Sequence, residues 1–178
     1  MNEEVYWHLA LTQVPQIGDV HIGVLLGYFG NPSDVFKANR KTLEGLPGIG
    51  TARASAVKKF NGFKCIEQEV TFLLKNDISV LVKYADGYPR RLENCIDAPH
   101  VLFYKGSQPL NVQKVVAIVG TRAPTDYGKE RVAALISTLI PLDVLVISGL
   151  AYGIDTLVHR DCVKHGVGTI GVLGHGLN

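Results

Sequence analysis

The chain has 178 residues, three cysteines and a net charge of +2, with 47% apolar and 19% charged residues. That composition suits a folded globular protein and excludes a disordered one, and the near balance of charge excludes general affinity for polyanions. An odd number of cysteines without C-x-x-C spacing argues against a disulfide scaffold or a cysteine metal site and fits a reducing compartment.

The first residues, Met1-Asn2-Glu3-Glu4, are acidic and lack an apolar signal core. No apolar run reaches the roughly 20 residues that span a bilayer. A cytoplasmic location without membrane contact is expected.

In chain order, Val5, Leu9 and Thr12 predict a helix over residues 3–13. Val14-Pro15-Gln16-Ile17-Gly18 then leads into an apolar helical stretch from Val20 to Phe29. Gly30-Asn31-Pro32-Ser33-Asp34 reads as a stop and a new N-cap, with short helices near 33–38 and 40–45. Leu46-Pro47-Gly48-Ile49-Gly50 precedes a helix from Thr51 to Phe60. The two pentapeptides stand 32 residues apart, an internal repeat. Two such units predict an all-helical domain over residues 1–62, about 60 residues being enough for independent folding.

A further helix is predicted over 63–76, with Ile66, Val70, Phe72, Leu73 and Leu74 on its apolar face. The period then changes. Ile78 to Tyr84 and Val101 to Tyr104 read as strands, separated by an Asp86-Gly87-Tyr88-Pro89 turn and a short helical piece at 90–94.

From Val115 the order is strand, turn, helix (about 125–139), strand (143–148), turn, helix (about 153–165), strand (169–173). Alternation of this kind predicts βαβ units and a parallel sheet. Val115–Val119 and Val144–Ile147 lack polar alternation and predict strands covered on both faces. The expected fold is α/β: a helical helix-hairpin-helix or SAM-like domain, then a Rossmann-like parallel-sheet domain over 63–178. The last strand falls just before the end of the chain. Either the two earlier strands complete the sheet or the chain is a fragment of a longer product; the fragment is favoured, and the Rossmann-like domain is read as incomplete.

Two strings carry chemistry. Val119-Gly120-Thr121-Arg122, running on to Thr125-Asp126-Tyr127-Gly128, and Ser148-Gly149-Leu150-Ala151-Tyr152-Gly153-Ile154-Asp155 each take a strand into a glycine turn and then a helix. Such turns present backbone N–H groups and a helix N-terminus to an anion at the strand's carboxyl end. Gly120 permits the turn, Thr121 supplies a hydroxyl, and Arg122 offers a planar fork for a phosphate or a base. The alternative for Arg122 is a salt bridge to a neighbouring acid. Tyr127 is either a platform for a base or a core residue. Gly149 and Gly153 stand four apart, which departs from the three-glycine dinucleotide fingerprint and leaves a small-residue loop beside Ser148. Asp155 suits a helix cap, and His159 lies one turn on, within reach of it. A catalytic Asp–His pair is the sharper alternative for these two, with Ser148 as the nearby hydroxyl. Lys164, near the end of that helix, is a further phosphate contact or a solvated lysine. His165 and His175 are scattered, and no metal site is expected.

In the helical domain, Pro47, Gly48 and Gly50 make the hairpin of a helix-hairpin-helix, with Lys58, and also Arg53 and Lys59, adding charge. This hairpin either meets a nucleic-acid backbone without reading sequence or is a purely structural helix pair. Val14-Pro15-Gln16, with few basic residues nearby, reads as structural.

These strings together resemble the bacterial DNA-processing protein A family, also called Smf. The resemblance begins in the paired hairpins and runs through Tyr88-Pro89-Arg90-Arg91-Leu92, Ile96-Asp97-Ala98-Pro99 and Leu102-Phe103-Tyr104-Lys105-Gly106. It continues through both glycine turns with His159 and closes with Gly168-Thr169-Ile170-Gly171-Val172-Leu173-Gly174-His175-Gly176-Leu177. It departs at Ala98, where a second proline is common, and at Val158, where alanine is usual.

The resemblance implies an extended Rossmann-like domain that binds single-stranded DNA. It also implies a recombination mediator that protects incoming strands during natural transformation and loads RecA, without nucleotide turnover or a cofactor, and that can form a homodimer. By it, Gly120 and Arg122 match the family's phosphate turn, and Gly149 and Gly153 its second loop. It also implies later strands, an arginine-rich segment and often a small winged-helix domain beyond this chain. The runner-up is a Rossmann-like nucleotide phosphoribohydrolase acting on nucleoside monophosphates. That enzyme would need a Pro-Gly-Gly-x-Gly-Thr loop and a downstream glutamate, and neither is present in this chain.

Overall fold

The structure, a computed structural model, describes residues 3–177. The chain divides into two compact units, Met1–Lys105 and Gly106–Asn178.

The first unit is α1 (Glu3–Thr12), α2 (Asp19–Phe29), α3 (Pro32–Lys37), α4 (Arg40–Glu44), α5 (Gly50–Lys59), α6 (Phe63–Lys75), β1 (Ser79–Val82), α7 (Arg90–Glu93) and β2 (Val101–Tyr104). The stop at Gly30 and the restart after it are as read: Gly30 has φ of +73°, and the Asn31 side chain accepts from the Ser33 N–H at 2.8 Å with Pro32 in the first turn. The internal repeat holds for backbone shape at one pair of positions and fails at another, where Gly18 has φ of −106° and its counterpart Gly50 has +59°. Gln16 and Gly48 hold equivalent positions, and both have positive φ, +66° and +75°. Arg53 ties the two turns together, donating from Nε to the Gln16 carbonyl at 3.0 Å and from Nη1 to the Gly48 carbonyl at 2.9 Å.

Four consecutive residues of α1, His8 to Leu11, are buried. Leu11 joins a core with Ile22, Leu25, Val35, Leu43, Ile49 and Val57, whereas Leu9 and Ala10 join Ile66, Leu73 and Ile78. The helix is therefore covered from two sides. Its second cover is α6 together with the hairpin of β1 and β2, which pair antiparallel with Val80 opposite Phe103. For this reason the units divide after Lys105 and not at 62/63, and the first unit is helical with a two-stranded hairpin. The predicted face of α6 needs correcting too: Ile66 and Leu73 are buried, but Phe72 and Leu74 are exposed.

The second unit is β3 (Val115–Ala117), α8 (Asp126–Leu139), a 3-10 turn (Ile140–Leu142), β4 (Leu145–Gly149), α9 (Ile154–His165) and β5 (Thr169–Val172). The three strands are parallel in the order β3-β4-β5, with Ala117 opposite Ile147 and Ser148 opposite Gly171. The early hairpin does not join this sheet. Helices α8 and α9 pack Val132, Ile136, Ile154, Val158 and Cys162 against Val146 and the half-buried Val116 and Ile118. The central strand β4 matches the expectation of cover on both faces, since neighbouring Leu145 and Val146 are both buried. The run from Val115 to Val119 does not, because Ala117 in β3 is exposed and Val119 just after it is 76% exposed.

Candidate nucleic-acid interface

The two glycine turns leave adjacent parallel strands at the same sheet edge. In the first, the Thr121 Oγ accepts from the Ala123 N–H at 3.2 Å, and Thr125 caps α8 by accepting from the Gly128 N–H at 3.2 Å. In the second, the Gly149 carbonyl accepts from His159 Nε2 at 2.7 Å, and the Ala151 carbonyl accepts from the Thr156 hydroxyl at 2.8 Å.

The turns dock onto each other. Gly153 has φ of +90°, and a Cβ there would overlap the Thr121 carbonyl oxygen and lie 2.7 Å from Arg122 Cα. The Ile154 N–H donates to the Thr121 carbonyl at 3.1 Å. From the other side, a Cβ on Gly120 would lie 2.7 Å from the Ile154 Cβ. Only glycines let these backbones approach so closely. The first turn of α9 thus opens beside the Gly120-Thr121-Arg122 turn. Its Asp155 and Thr156 N–H groups have no partner within the helix, as at any helix start.

Several expected side chains gather here. Thr121 and Arg122 are exposed. Among the described residues no hydrogen bond or ion pair engages the Arg122 guanidinium, so the salt-bridge alternative is not realised. Tyr127 is 68% exposed and is not a core residue; the Arg131 guanidinium lies over its ring at 5.3 Å from the centroid. Beside it, Lys129 holds Asp126 at 2.8 Å and lowers the pKa of that carboxyl.

Others are placed differently. Ser148 is buried, and its Oγ has no hydrogen-bond partner, so it lies beneath the loop instead of facing solvent. Asp155 is buried as well. It makes no cap hydrogen bond, its Oδ1 has no partner, and it fills the space that a side chain on Gly149 would need. His159 does not meet Asp155. It bridges the Gly149 carbonyl and the Thr169 hydroxyl, at 2.7 and 2.8 Å, and so ties the second loop to β5. Because a carbonyl only accepts, the His159 Nε2 carries a hydrogen. Lys164 is exposed in the last turn of α9. At 1.5 Å per residue it stands about 15 Å along the helix from the docked turns.

In the first unit, Pro47 and Gly48 lie in the turn between α4 and α5, and Gly50 is the first residue of α5. Lys58 is exposed but engaged: its ammonium donates to the Phe36 and Ala38 carbonyls at 2.7 and 2.8 Å and closes the end of α3. Arg53 is equally engaged, which leaves Lys59, exposed like Lys58, as the cation of that group with no hydrogen bond or ion pair among the described residues.

The sequence reading missed Tyr152. It sits at the tip of the second loop, 85% exposed, with Leu150 at 58%. The signal was available, since an aromatic residue set between Ala151 and Gly153 in a small-residue loop has no core to enter. Among the described residues no histidine, cysteine and carboxylate cluster could hold a metal ion, and no helix is long and apolar enough to cross a membrane.

Comparison with known proteins gives a consistent result. The sequence pattern of the DNA recombination-mediator protein A family matches residues 79–178. Protein Smf of Synechocystis sp. is 30% identical over 99% of this chain and 45% of its own length. The DNA processing protein DprA of Streptococcus pneumoniae is 42% identical over 52% of this chain and 33% of its own. The X-ray structure of DNA processing protein A from S. pneumoniae superposes with a TM-score of 0.67 at 28% identity, covering 99% of this chain and 60% of that one. The chain spans less than half the length of these two sequence relatives.

Proposed function

The chain belongs to the DNA recombination-mediator protein A family, and on that premise we propose that the docked turns of its second unit bind single-stranded DNA. The observation that carries this reading is the seating of Gly153 on the Thr121–Arg122 backbone. It brings two glycine turns, one helix start and an unengaged arginine to one sheet edge, with Tyr127 on the adjoining first turn of α8.

A phosphate at this edge would meet the Arg122 guanidinium and the first N–H groups of α9. Tyr127, with Arg131 against its ring, offers a face for a base. Gly120, Thr121, Gly149 and Gly153 shape the site. Ser148, Asp155 and His159 support it from below, and Lys164 stands outside it. The role is that of a non-enzymatic mediator that covers incoming strands in the cytoplasm during natural transformation and hands them to RecA. A second copy of the chain is a further partner. No nucleotide is turned over and no cofactor is used.

The test is a fluorescence titration of labelled single-stranded and duplex oligonucleotides with the chain and with Arg122→Ala, at several salt concentrations. Saturable binding should favour single strands and weaken with salt. Arg122→Ala should lose about tenfold in affinity, the scale of one charge-assisted phosphate contact. Equal affinity in wild type and variant would remove Arg122 from the site. Release of ribose 5-phosphate from nucleoside monophosphates would overturn the non-enzymatic reading.

A further inference from the structure

Tyr152 projects from a loop that is held at every other residue. The Gly149 carbonyl is bound by His159 and the Ala151 carbonyl by Thr156. Leu150 lies over Gly171, where a Cβ would come within 2.6 Å of the Leu150 Cγ, and Gly153 is seated on the neighbouring turn. Yet Tyr152 itself is 85% exposed, and among the described residues it makes no hydrogen bond or ring contact.

An aromatic ring on a loose loop would need no explanation. On a fixed support it is presented outward with little ordering left to be lost when a partner arrives. The unengaged Arg122 guanidinium on the docked turn marks the expected partner as an anion-bearing one. Val119 and Leu150, which follow the same two strands, are exposed apolar residues as well.

We propose that Tyr152 is a stacking platform for an unpaired nucleobase, and that this ring, more than the phosphate contacts, makes the site prefer single strands to duplex. The inference rests on the single-strand reading above and adds to it, besides Tyr127 with Arg131 against its ring, an uncovered ring that would read unpairedness. Phosphates are present in both forms of DNA, so Arg122 and the loop N–H groups discriminate weakly between them. The faces of bases are free only in single strands. Every base has such a face, so the contact tolerates any sequence.

The experiment compares wild type, Tyr152→Ala and Tyr152→Phe in anisotropy titrations against three labelled ligands of one length: oligothymidine, an abasic oligodeoxynucleotide and a duplex. Size-exclusion chromatography of the same samples follows the association of copies. Wild type should bind oligothymidine more tightly than the abasic strand. Tyr152→Ala should lose about tenfold on oligothymidine, the scale of one base–aromatic stack, and nothing on the abasic strand. Tyr152→Phe should behave as wild type.

Equal binding of the first two ligands by wild type, or equal loss on both in Tyr152→Ala, overturns the role of the ring and leaves the phosphate site standing. A variant that changes only the association of copies assigns the ring to a protein contact and overturns the proposal. Failure of wild type to bind any strand overturns the single-strand reading and this inference with it.

Discussion

At the scale of single residues, two glycines of positive φ differ both in backbone geometry, with ψ of −128° at Gly153 and +17° at Gly166, and in their surroundings. Gly166 ends α9 with φ of +70° and has nothing within 4 Å of where a Cβ would stand. Gly166→Ala should therefore cost only the conformational penalty, about 1 kcal/mol. Gly153, with φ of +90°, faces the Thr121 carbonyl and the Arg122 backbone. There a Cβ adds a clash with main chain that cannot rotate away, so Gly153→Ala should cost about 3 kcal/mol or more. Urea unfolding of the two variants measures the difference. Equal costs would mean that the two turns are not docked in solution. The sequence disclosed both glycines of the second loop as turn formers. It could not disclose that one of them is the seat of the other turn, because that depends on which strands lie side by side. The same limit explains Lys58. Its charge is legible in the sequence, but the carbonyls it closes belong to α3, some 20 residues earlier.

At the scale of elements, α1 and the segment leading into β2 meet through two buried imidazoles. His8 Nδ1 and His100 Nε2 are 2.8 Å apart, so one ring donates to the other and a single hydrogen lies between them. Glu4 Oε1 stands 4.0 Å from the far nitrogen of His8, and the Asp19 carboxylate accepts from the His100 backbone N–H at 2.7 Å. Burial lowers the pKa of His8 against the pull of Glu4. Burial, and next the neighbouring His8, bring His100 down to about 4; Asp19 opposes the shift and Lys83 adds to it. Since the folded pKa values lie below the unfolded value of about 6.5, the folded state binds fewer protons across the interval between them. The stabilisation is complete above about pH 6.5 and is lost progressively as the pH falls towards 4. A loss of the order of 2 kcal/mol is expected in urea unfolding free energy between these limits, and His100→Gln should flatten that slope. An equally steep slope in the variant would place the acid sensitivity elsewhere. None of this pairing was legible beforehand, for the two histidines are 92 positions apart. What was legible at this scale followed from local pattern: the repeat, the caps near Asn31, and the strand–turn–helix order after Val115. The missed features, α1 buried from two sides and α6 with Phe72 and Leu74 exposed, depend on what each helix packs against.

At the scale of the whole molecule, the sequence reading placed a boundary at 62/63, after the second hairpin unit and before a further helix, and the packing places it 43 residues later, after Lys105. The difference has a physical source in α1. A unit ending at residue 62 would keep Leu11 covered, but it would expose Leu9 and Ala10, which pack against Ile66, Leu73 and Ile78. It would also open the aromatic group around Trp7, the only tryptophan, whose ring centroid lies 5.8 Å from that of Phe63 and 5.6 Å from that of Phe36. Fully burying one leucine-sized side chain is worth about 2 kcal/mol. The net stability of a small domain is only about 5 kcal/mol. Losing several such contacts should therefore leave the shorter piece without a cooperative fold. A fragment of residues 1–105 should unfold in one sharp thermal transition, followed through Trp7 fluorescence and far-ultraviolet circular dichroism together. A fragment of residues 1–62 should show a broad transition in which the two signals do not coincide. A sharp, coincident transition from the shorter fragment would show that the paired hairpins carry their own core. In that case α6 and the strand hairpin would be an addition to a finished domain, not part of what lets it fold.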